Sequence, residues 1–212
     1  MTTFINLKDT PKMLHSSDAM QARLAQLNEP HIAPLTGLLK SLRKEKGEGY
    51  HIPNFDPWDG GVDAEVLFLL EAPGAKARDS GFISRNNPDE TAKNMFELNQ
   101  EAGISRKQSI LWNAVPWYIG SEKKIRPARA DDVAEGLDAL SSLVKLLPKL
   151  KVIALVGKKS QLAESHIRAM NPDVLVYCCP HPSPLFVNRR PENREILLNA
   201  FRSIKNQLEG VV

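Results

Sequence analysis

Three short segments of the 212-residue chain carry side chains that could do chemistry on an organic substrate. His181 stands in residues 180–185, where three prolines in five positions hold one imidazole in a rigid loop. Asn113 lies within an apolar run, SILWNAV, where an unpaired amide is costly to bury. Glu71 opens the EAPG turn of residues 71–74. Together they offer an imidazole, an amide and a carboxylate, the groups that bind a polar ring and assist its chemistry.

Each of these segments follows or ends a predicted strand. Apolar runs predict strands at residues 65–70, 109–115, 152–156 and 174–178. Helical periodicity predicts helices at residues 16–46 (two helices, broken near Pro30 and Pro34), 91–102, 130–147, 160–170 and 191–208. Strands that alternate with helices favour an α/β protein, a three-layer α/β/α sandwich around a central, mainly parallel four-stranded sheet.

The carboxyl ends of parallel strands meet at one edge of a sheet, which is where ligands bind in open α/β folds. We therefore expect Glu71, Asn113, Lys158 and His181 to converge.

The composition of residues 47–62 predicts a long loop inside a single domain. That domain is expected to cover residues 1–212, with residues 1–46 packed on it as a helical segment. Each site residue also has a structural explanation: EAPG is a common turn, Asn113 could satisfy a backbone group, and lone histidines are usually structural.

Composition narrows the classes of protein. The formal net charge of +3 does not by itself indicate a nucleic-acid binder. No apolar run approaches the roughly 20 residues that cross a bilayer, and the first ten residues lack a signal-peptide pattern, so a cytoplasmic protein is expected. The two cysteines, Cys178 and Cys179, are adjacent and cannot supply a four-cysteine iron–sulfur or zinc site. We expect no metal and no cofactor.

The order of the EAPG turn, the strand asparagine and the HPSPL segment at 181–185 resembles the uracil-DNA glycosylase superfamily, from about residue 55 to 201. The resemblance implies the fold of that superfamily. It also implies a DNA-repair enzyme that hydrolyses the N-glycosidic bond of uracil flipped out of DNA. Two departures point to a divergent branch without an iron–sulfur cluster. The chain lacks that cluster's cysteines, and Ala72 stands where the best-known branch has a carboxylate that orients water.

The resemblance also implies roles for individual residues. His181 would stabilise the departing base, Asn113 would read the base edge, and Phe82 would stack on the flipped ring, unless it is an ordinary core aromatic. The resemblance implies that the backbone of Ala72, Pro73 and Gly74, with amides in the range from Glu71 to Gly74, would lie against the base or the water. Glu71 is the acid nearest the motif and would contact that water, or else cap a turn. Asp89 and the Asn86–Asn87 pair, which follow the stacking loop, are alternatives to Glu71 for contact with the water. Asp89 is also expected to cap the helix near Thr91.

DNA contacts are expected from the end of the last motif and from basic residues beside the loops. Ser183, Pro184, Leu185 and Phe186 would approach the duplex, with Leu185 as the apolar wedge that fills the gap left by the flipped nucleotide. Phosphate contacts are expected from Lys158, Lys159 and Arg189, within the wider set Arg78, Arg85, Lys123, Lys124, Arg126, Arg129 and Arg190. Trp112 is interpreted as core and Trp117 as pocket wall or core.

The sequence leaves several functions open. The partner is expected to be DNA containing uracil, single- or double-stranded, bound by a monomer. The alternatives are excision of another deaminated base (hypoxanthine or xanthine), or a non-catalytic module on the same scaffold that binds DNA or abasic sites. A nucleotide-binding protein without a DNA role is disfavoured because the chain has no Walker or dinucleotide glycine pattern.

Overall fold

The computed structural model describes residues 8–121 and 125–210. Its strands are β1 (Asn54–Phe55), β2 (Val66–Leu70), β3 (Phe82–Ile83), β4 (Ser109–Asn113), β5 (Val152–Val156) and β6 (Leu175–Cys179). Its α-helices are α1 (Ser17–Leu24), α2 (Ala33–Lys46), α3 (Ala75–Ser80), α4 (Glu90–Glu101), α5 (Ala130–Lys145), α6 (Glu164–Met170), α7 (Pro184–Val187) and α8 (Glu192–Glu209). Short 3-10 turns occupy Met13–His15, Gly61–Asp63, Arg106–Gln108 and Ser160–Ala163.

Four strands form one parallel sheet in the order β4-β2-β5-β6, which confirms the predicted fold class. All five residues of β5 and the first four of β2 are buried, because a strand in the middle of such a sheet is covered on both faces. The register aligns Leu70 with Asn113, so the EAPG turn starts level with the strand asparagine. The chain order reverses between β2 and β5, which creates a crevice at their carboxyl ends.

Helices cover both faces of the sheet. Helix α4 packs against α8, and the Phe68 ring of β2 stacks on Phe201 of α8 at 5.1 Å between centroids. Helices α2 and α6 each pack against α5. The crossovers through α4 and α5 run in opposite directions along the sheet, so right-handed connections place those two helices on opposite faces.

A second, two-stranded parallel sheet has one strand inside the segment 47–62, which was predicted to be a loop, and the other at residues 82–83. Strand β1 pairs with β3, aligning Asn54 with Phe82 and Phe55 with Ile83. The strand prediction missed both, because two-residue strands are too short to show a period. The pairing has a direct consequence for the site, since Asp56 and Ser84 follow the two strands side by side.

The N-terminal residues that the structure describes pack behind this small sheet. Met13, Leu14 and Ala19 form a separate apolar cluster with Phe82. The Leu14 amide donates a hydrogen bond to the Asn86 carbonyl at 3.0 Å. Residues 13–19 thus support the segment 82–87 from outside, a role the sequence did not predict.

Across residues 8–121 and 125–210, no helix combines the length and the apolar character that crossing a membrane requires.

Candidate active site

A cavity of about 500 Å³ opens at the carboxyl ends of the sheet strands, a volume within the usual range for small-molecule sites. Glu71, Ala72, Pro73 and Gly74 line it from the turn after β2, Asn113 from the end of β4, and His181 from the loop after β6. The topology therefore brings together the six residues that the sequence assigned to catalysis and base binding at strand ends.

Asn113 presents an amide to the cavity. Only 3% of the residue is exposed, and its side chain makes no hydrogen bond to any residue described by the structure. A buried amide needs hydrogen-bonding partners, so an unpaired one at a cavity wall indicates a place for a polar ligand.

His181 is half-buried and faces the same cavity. Burial lowers the pKa of His181, while the nearby carboxylates of Glu71 and Asp89 act in the opposite direction. Burial thus favours the neutral imidazole, in which one ring nitrogen donates and the other accepts. Within the described parts of the chain, the ring hydrogen-bonds to no residue.

The loop that carries His181 is held from two sides. The Asn94 side-chain amide of α4 donates to the Pro182 carbonyl at 2.8 Å. On the other side Gly157, at the end of β5, donates its amide to the Cys179 carbonyl at 2.8 Å and has a φ of +87°. A Cβ on Gly157 would lie 3.0 Å from the Cβ of His181, so only glycine allows this close approach.

Gly157→Ala is expected to destabilise the fold by more than about 1 kcal/mol, because the left-handed backbone strain adds to the contact with His181. Gly81→Ala is the matched control: its φ is +76°, yet nothing lies within 4 Å of the added Cβ. Urea unfolding would measure both variants. Equal losses in the two would show that the contact with His181 costs nothing.

Two carboxylates line the cavity among the residues that the structure describes. Glu71 Oε1 accepts a hydrogen bond from the Ala128 amide at 2.6 Å, which ties the turn after β2 to the segment before α5. Asp89 is the N-cap of α4 and accepts from the Ala92 amide at 2.9 Å, which confirms its predicted capping role. Burial raises the pKa of Asp89, against the effect of the backbone hydrogen bonds.

Phe82 is not where the resemblance placed it. The ring is fully buried in the cluster with Met13 and Leu14, and Ile83 lines the cavity instead. Neighbouring residues of a strand point to opposite faces, and β3 turns residue 83 toward the cavity and residue 82 away from it. The interpretation of Phe82 as the stacking aromatic is therefore wrong, and its core interpretation holds.

The wall formed by residues 83–87 rests on a cluster of buried charges. Ser84 and Asn87 line the cavity, and the Ser84 hydroxyl donates to the Asp56 carboxylate. Asp56 is fully buried and forms ion pairs with Arg23 and Arg106. These two arginines hold the pKa of Asp56 at about 2, in spite of its burial. The wall is thus fixed from behind by electrostatic contacts that do not themselves reach the cavity.

Arg85 belongs to this buried cluster and is wrongly interpreted as a surface phosphate contact. The residue is 3% exposed, donates to the Ser109 hydroxyl at 2.6 Å and lies 3.7 Å from the Asp59 carboxylate. Of the remaining basic residues, Arg78 pairs with Asp79 and Arg126 with Asp132. Lys123 and Lys124 lie outside the described residues.

The residues predicted to contact DNA lie on and beside α7. Leu185 is 87% exposed, the highest value among the exposed large apolar residues described. Ser183 caps the helix, whose first residue is Pro184, and Phe186 packs partly against the core. Lys158 and Arg189 are exposed and Lys159 is half-exposed, so all three are accessible to solvent.

Sequence reasoning missed several wall residues. Met95 of α4 and Leu111 of β4 supply apolar surface, and Ile125, Arg126 and Pro127 form part of the rim. Of these residues the sequence predicted a role only for Arg126, as one of many basic residues for phosphate contacts. The others belong to no motif and have no reactive group. Trp112 is core, as predicted, and stacks on Phe55 at 4.3 Å. Trp117 is 4% exposed and does not line the cavity.

Comparison with known proteins identifies the family. The family model described as "Uracil DNA glycosylase superfamily" matches residues 57–205, and the chain belongs to that superfamily. No curated protein matches the chain. Among solved structures, the chain is similar to the solution NMR structure of a "putative Uracil DNA glycosylase" from Methanosarcina acetivorans. The two share 18% sequence identity over 68% of this chain and 92% of that one, with a TM-score of 0.47.

Proposed function

We propose that the protein is a monofunctional uracil-DNA glycosylase, which hydrolyses the bond between a flipped-out uracil and its deoxyribose and leaves an abasic site. The observation that carries this proposal is the pair of unpartnered polar groups, the Asn113 amide and the His181 imidazole, which face one cavity. Membership of the superfamily supports the class of reaction.

Asn113 reads the edge of the base. With its NH₂ toward O4 and its carbonyl toward N3–H, the amide matches the acceptor and donor on the outer edge of uracil; the same orientation mismatches cytosine, and the flipped amide would match it. Selectivity against cytosine therefore requires that the cavity hold one orientation of the amide, because a mismatched base then leaves polar groups without partners. The apolar side chains of Ile83, Met95 and Leu111 supply the surface against which the ring lies.

His181 stabilises the leaving group. As the bond between the sugar carbon and the base nitrogen breaks, its electron pair moves onto the base, where negative charge develops on the carbonyl oxygen beside that nitrogen. A neutral imidazole donates one hydrogen bond to that oxygen, in a site partly shielded from water. The lowered pKa of His181 favours this neutral form of the ring.

The exposed surface near the cavity supports binding to DNA. Leu185 projects from α7, which is held in two ways. Ser183 caps its N-terminus, and the Asn193 side-chain amide donates to the Phe186 carbonyl at 2.6 Å. An exposed leucine on a fixed turn suits insertion between base steps. Lys158, Lys159 and Arg189 supply positive charge for phosphates, so affinity is expected to fall as salt rises.

Oligonucleotides that carry one uracil, hypoxanthine or xanthine test the proposal. The protein is incubated with single- and double-stranded forms in EDTA, and abasic sites are then cleaved with alkali. We expect strand breaks at uracil, with a large loss in Asn113→Ala. Breaks at hypoxanthine or xanthine alone would move the substrate to another deaminated base. Binding to abasic DNA without any excision would instead support a non-catalytic module.

A further inference from the structure

The cavity contains no acid at the position where the resemblance places the water-orienting carboxylate, because that residue is Ala72. Among the described residues that line the cavity, the acids are Glu71 and Asp89. Hydrolysis needs a group that accepts a proton from the attacking water, and a carboxylate at the cavity wall is suited to this.

Glu71 already has a structural task. Its Oε1 accepts a short hydrogen bond of 2.6 Å from the Ala128 amide, across 57 residues of chain. That bond joins the EAPG turn to the start of α5 and to the rim residue Pro127. Through this long-range bond Glu71 fixes the rim, while its second carboxylate oxygen makes no hydrogen bond to any described residue.

Asp89 is also held through one carboxylate oxygen, but by the adjacent N-terminus of α4 and not by a distant segment of the rim. The Ala92 amide holds its Oδ1, and its own amide donates to the Asn87 carbonyl at 2.8 Å. The N-terminus of α4 favours the ionised form, while partial burial limits its solvation. Its charge acts on His181, as does that of Glu71, so both carboxylates lie within electrostatic range of the imidazole.

We propose that Asp89 is the catalytic carboxylate that orients and deprotonates the attacking water; this inference rests on the proposed function. The water oxygen bonds to the sugar carbon, and one water proton passes to Asp89. The electron pair of the broken carbon–nitrogen bond leaves with the base as an anion stabilised by His181. The base then takes up a proton, and Asp89 releases its own to solvent.

Asp89→Asn is the decisive variant, because asparagine caps helices as well as aspartate does but cannot accept the proton. We expect its single-turnover rate on uracil-containing DNA to fall by about 10²–10⁴-fold. Affinity for an oligonucleotide with uncleavable 2′-fluoro-2′-deoxyuridine should stay unchanged. Glu90→Gln is the matched control: it removes the same charge from the same helix turn, at an exposed residue that does not line the cavity.

Chemical rescue separates a proton acceptor from a structural cap. Asp89→Ser retains a capping oxygen and opens space, so sodium formate should restore part of its rate and none of the rate lost in His181→Ala. If the wild-type protein excises bases and Asp89→Asn keeps its rate within about tenfold, the role of Asp89 is overturned while the function stands. If the wild-type protein excises no base, both proposals fall.

Discussion

Replacing His181 with alanine is expected to lower the single-turnover rate of uracil excision by about 10²–10³-fold, the usual cost of losing one donor to a developing oxyanion. The donor acts on charge that forms only as the bond breaks, so binding of the uncleavable 2′-fluoro-2′-deoxyuridine oligonucleotide should change little. Rate and affinity measured on the same variant separate the two effects. An equal loss in both would make His181 a binding residue with no specific role in bond breakage.

The same residue gives an expected titration. Burial lowers the pKa of His181 in the folded protein, so we expect its imidazole to titrate below the ordinary value of about 6.5 in an NMR experiment. The His181→Ala spectrum identifies its signals among those of the five histidines. A histidine that is harder to protonate when folded costs stability as pH falls through its unfolded pKa. A measured pKa above 6.5 would contradict the neutral form on which the mechanism depends.

The elements that carry a strong period were predictable from the sequence. Strand β5 occupies the predicted residues 152–156, and α4 and α8 each lie one residue away from their predicted positions. Because these elements set the sheet edge, the convergence of Asn113 and His181 followed from topology alone. The short elements α3 and α7 were not predicted, since four to six residues show no clear periodicity.

The parts of the site that depend on pairing between distant residues were not predictable. Nothing local in the sequence shows that Asp56 meets Arg23, 33 positions earlier, and Arg106, 50 positions later. The same limit explains the error at Arg85. A positive charge is compatible with a phosphate contact, and the sequence does not show that Arg85 lies buried beside Asp59. At Phe82 the sequence does not show which face of the two-residue strand β3 the ring occupies. The register of β1 on β3 decides this.

Asp56→Asn is expected to lower the free energy of unfolding at pH 7 by about 3–5 kcal/mol, the cost of breaking a buried ion pair from one side. The variant can still accept from the Trp58 amide, which bonds Asp56 at 3.0 Å, so the loss reports mainly the charge. Without it the buried guanidinium of Arg23 and that of Arg106 lose their shared counter-ion. Urea unfolding at several pH values measures the effect.

Asp59→Asn is the matched control, because the two aspartates are equally buried yet are shifted in opposite directions. Burial raises the pKa of Asp59 to about 6, whereas that of Asp56 is held at about 2. The contribution of Asp56 is therefore present above pH 4 and is lost as pH falls toward 2. That of Asp59 is present below about pH 4 and is lost as pH rises through 6. Asp59→Asn should consequently cost less than Asp56→Asn at pH 7, and the reverse order would contradict this account.

The Asp56 variant also tests whether the buried cluster positions the cavity wall. Asp56 does not line the cavity, but it accepts the hydroxyl of Ser84, which does. At a temperature where Asp56→Asn remains folded, we expect weaker binding of the 2′-fluoro-2′-deoxyuridine oligonucleotide, because the wall that bears Ile83 and Ser84 is less well fixed. Unchanged affinity in the folded variant would show that the ion pairs stabilise the fold without shaping the site.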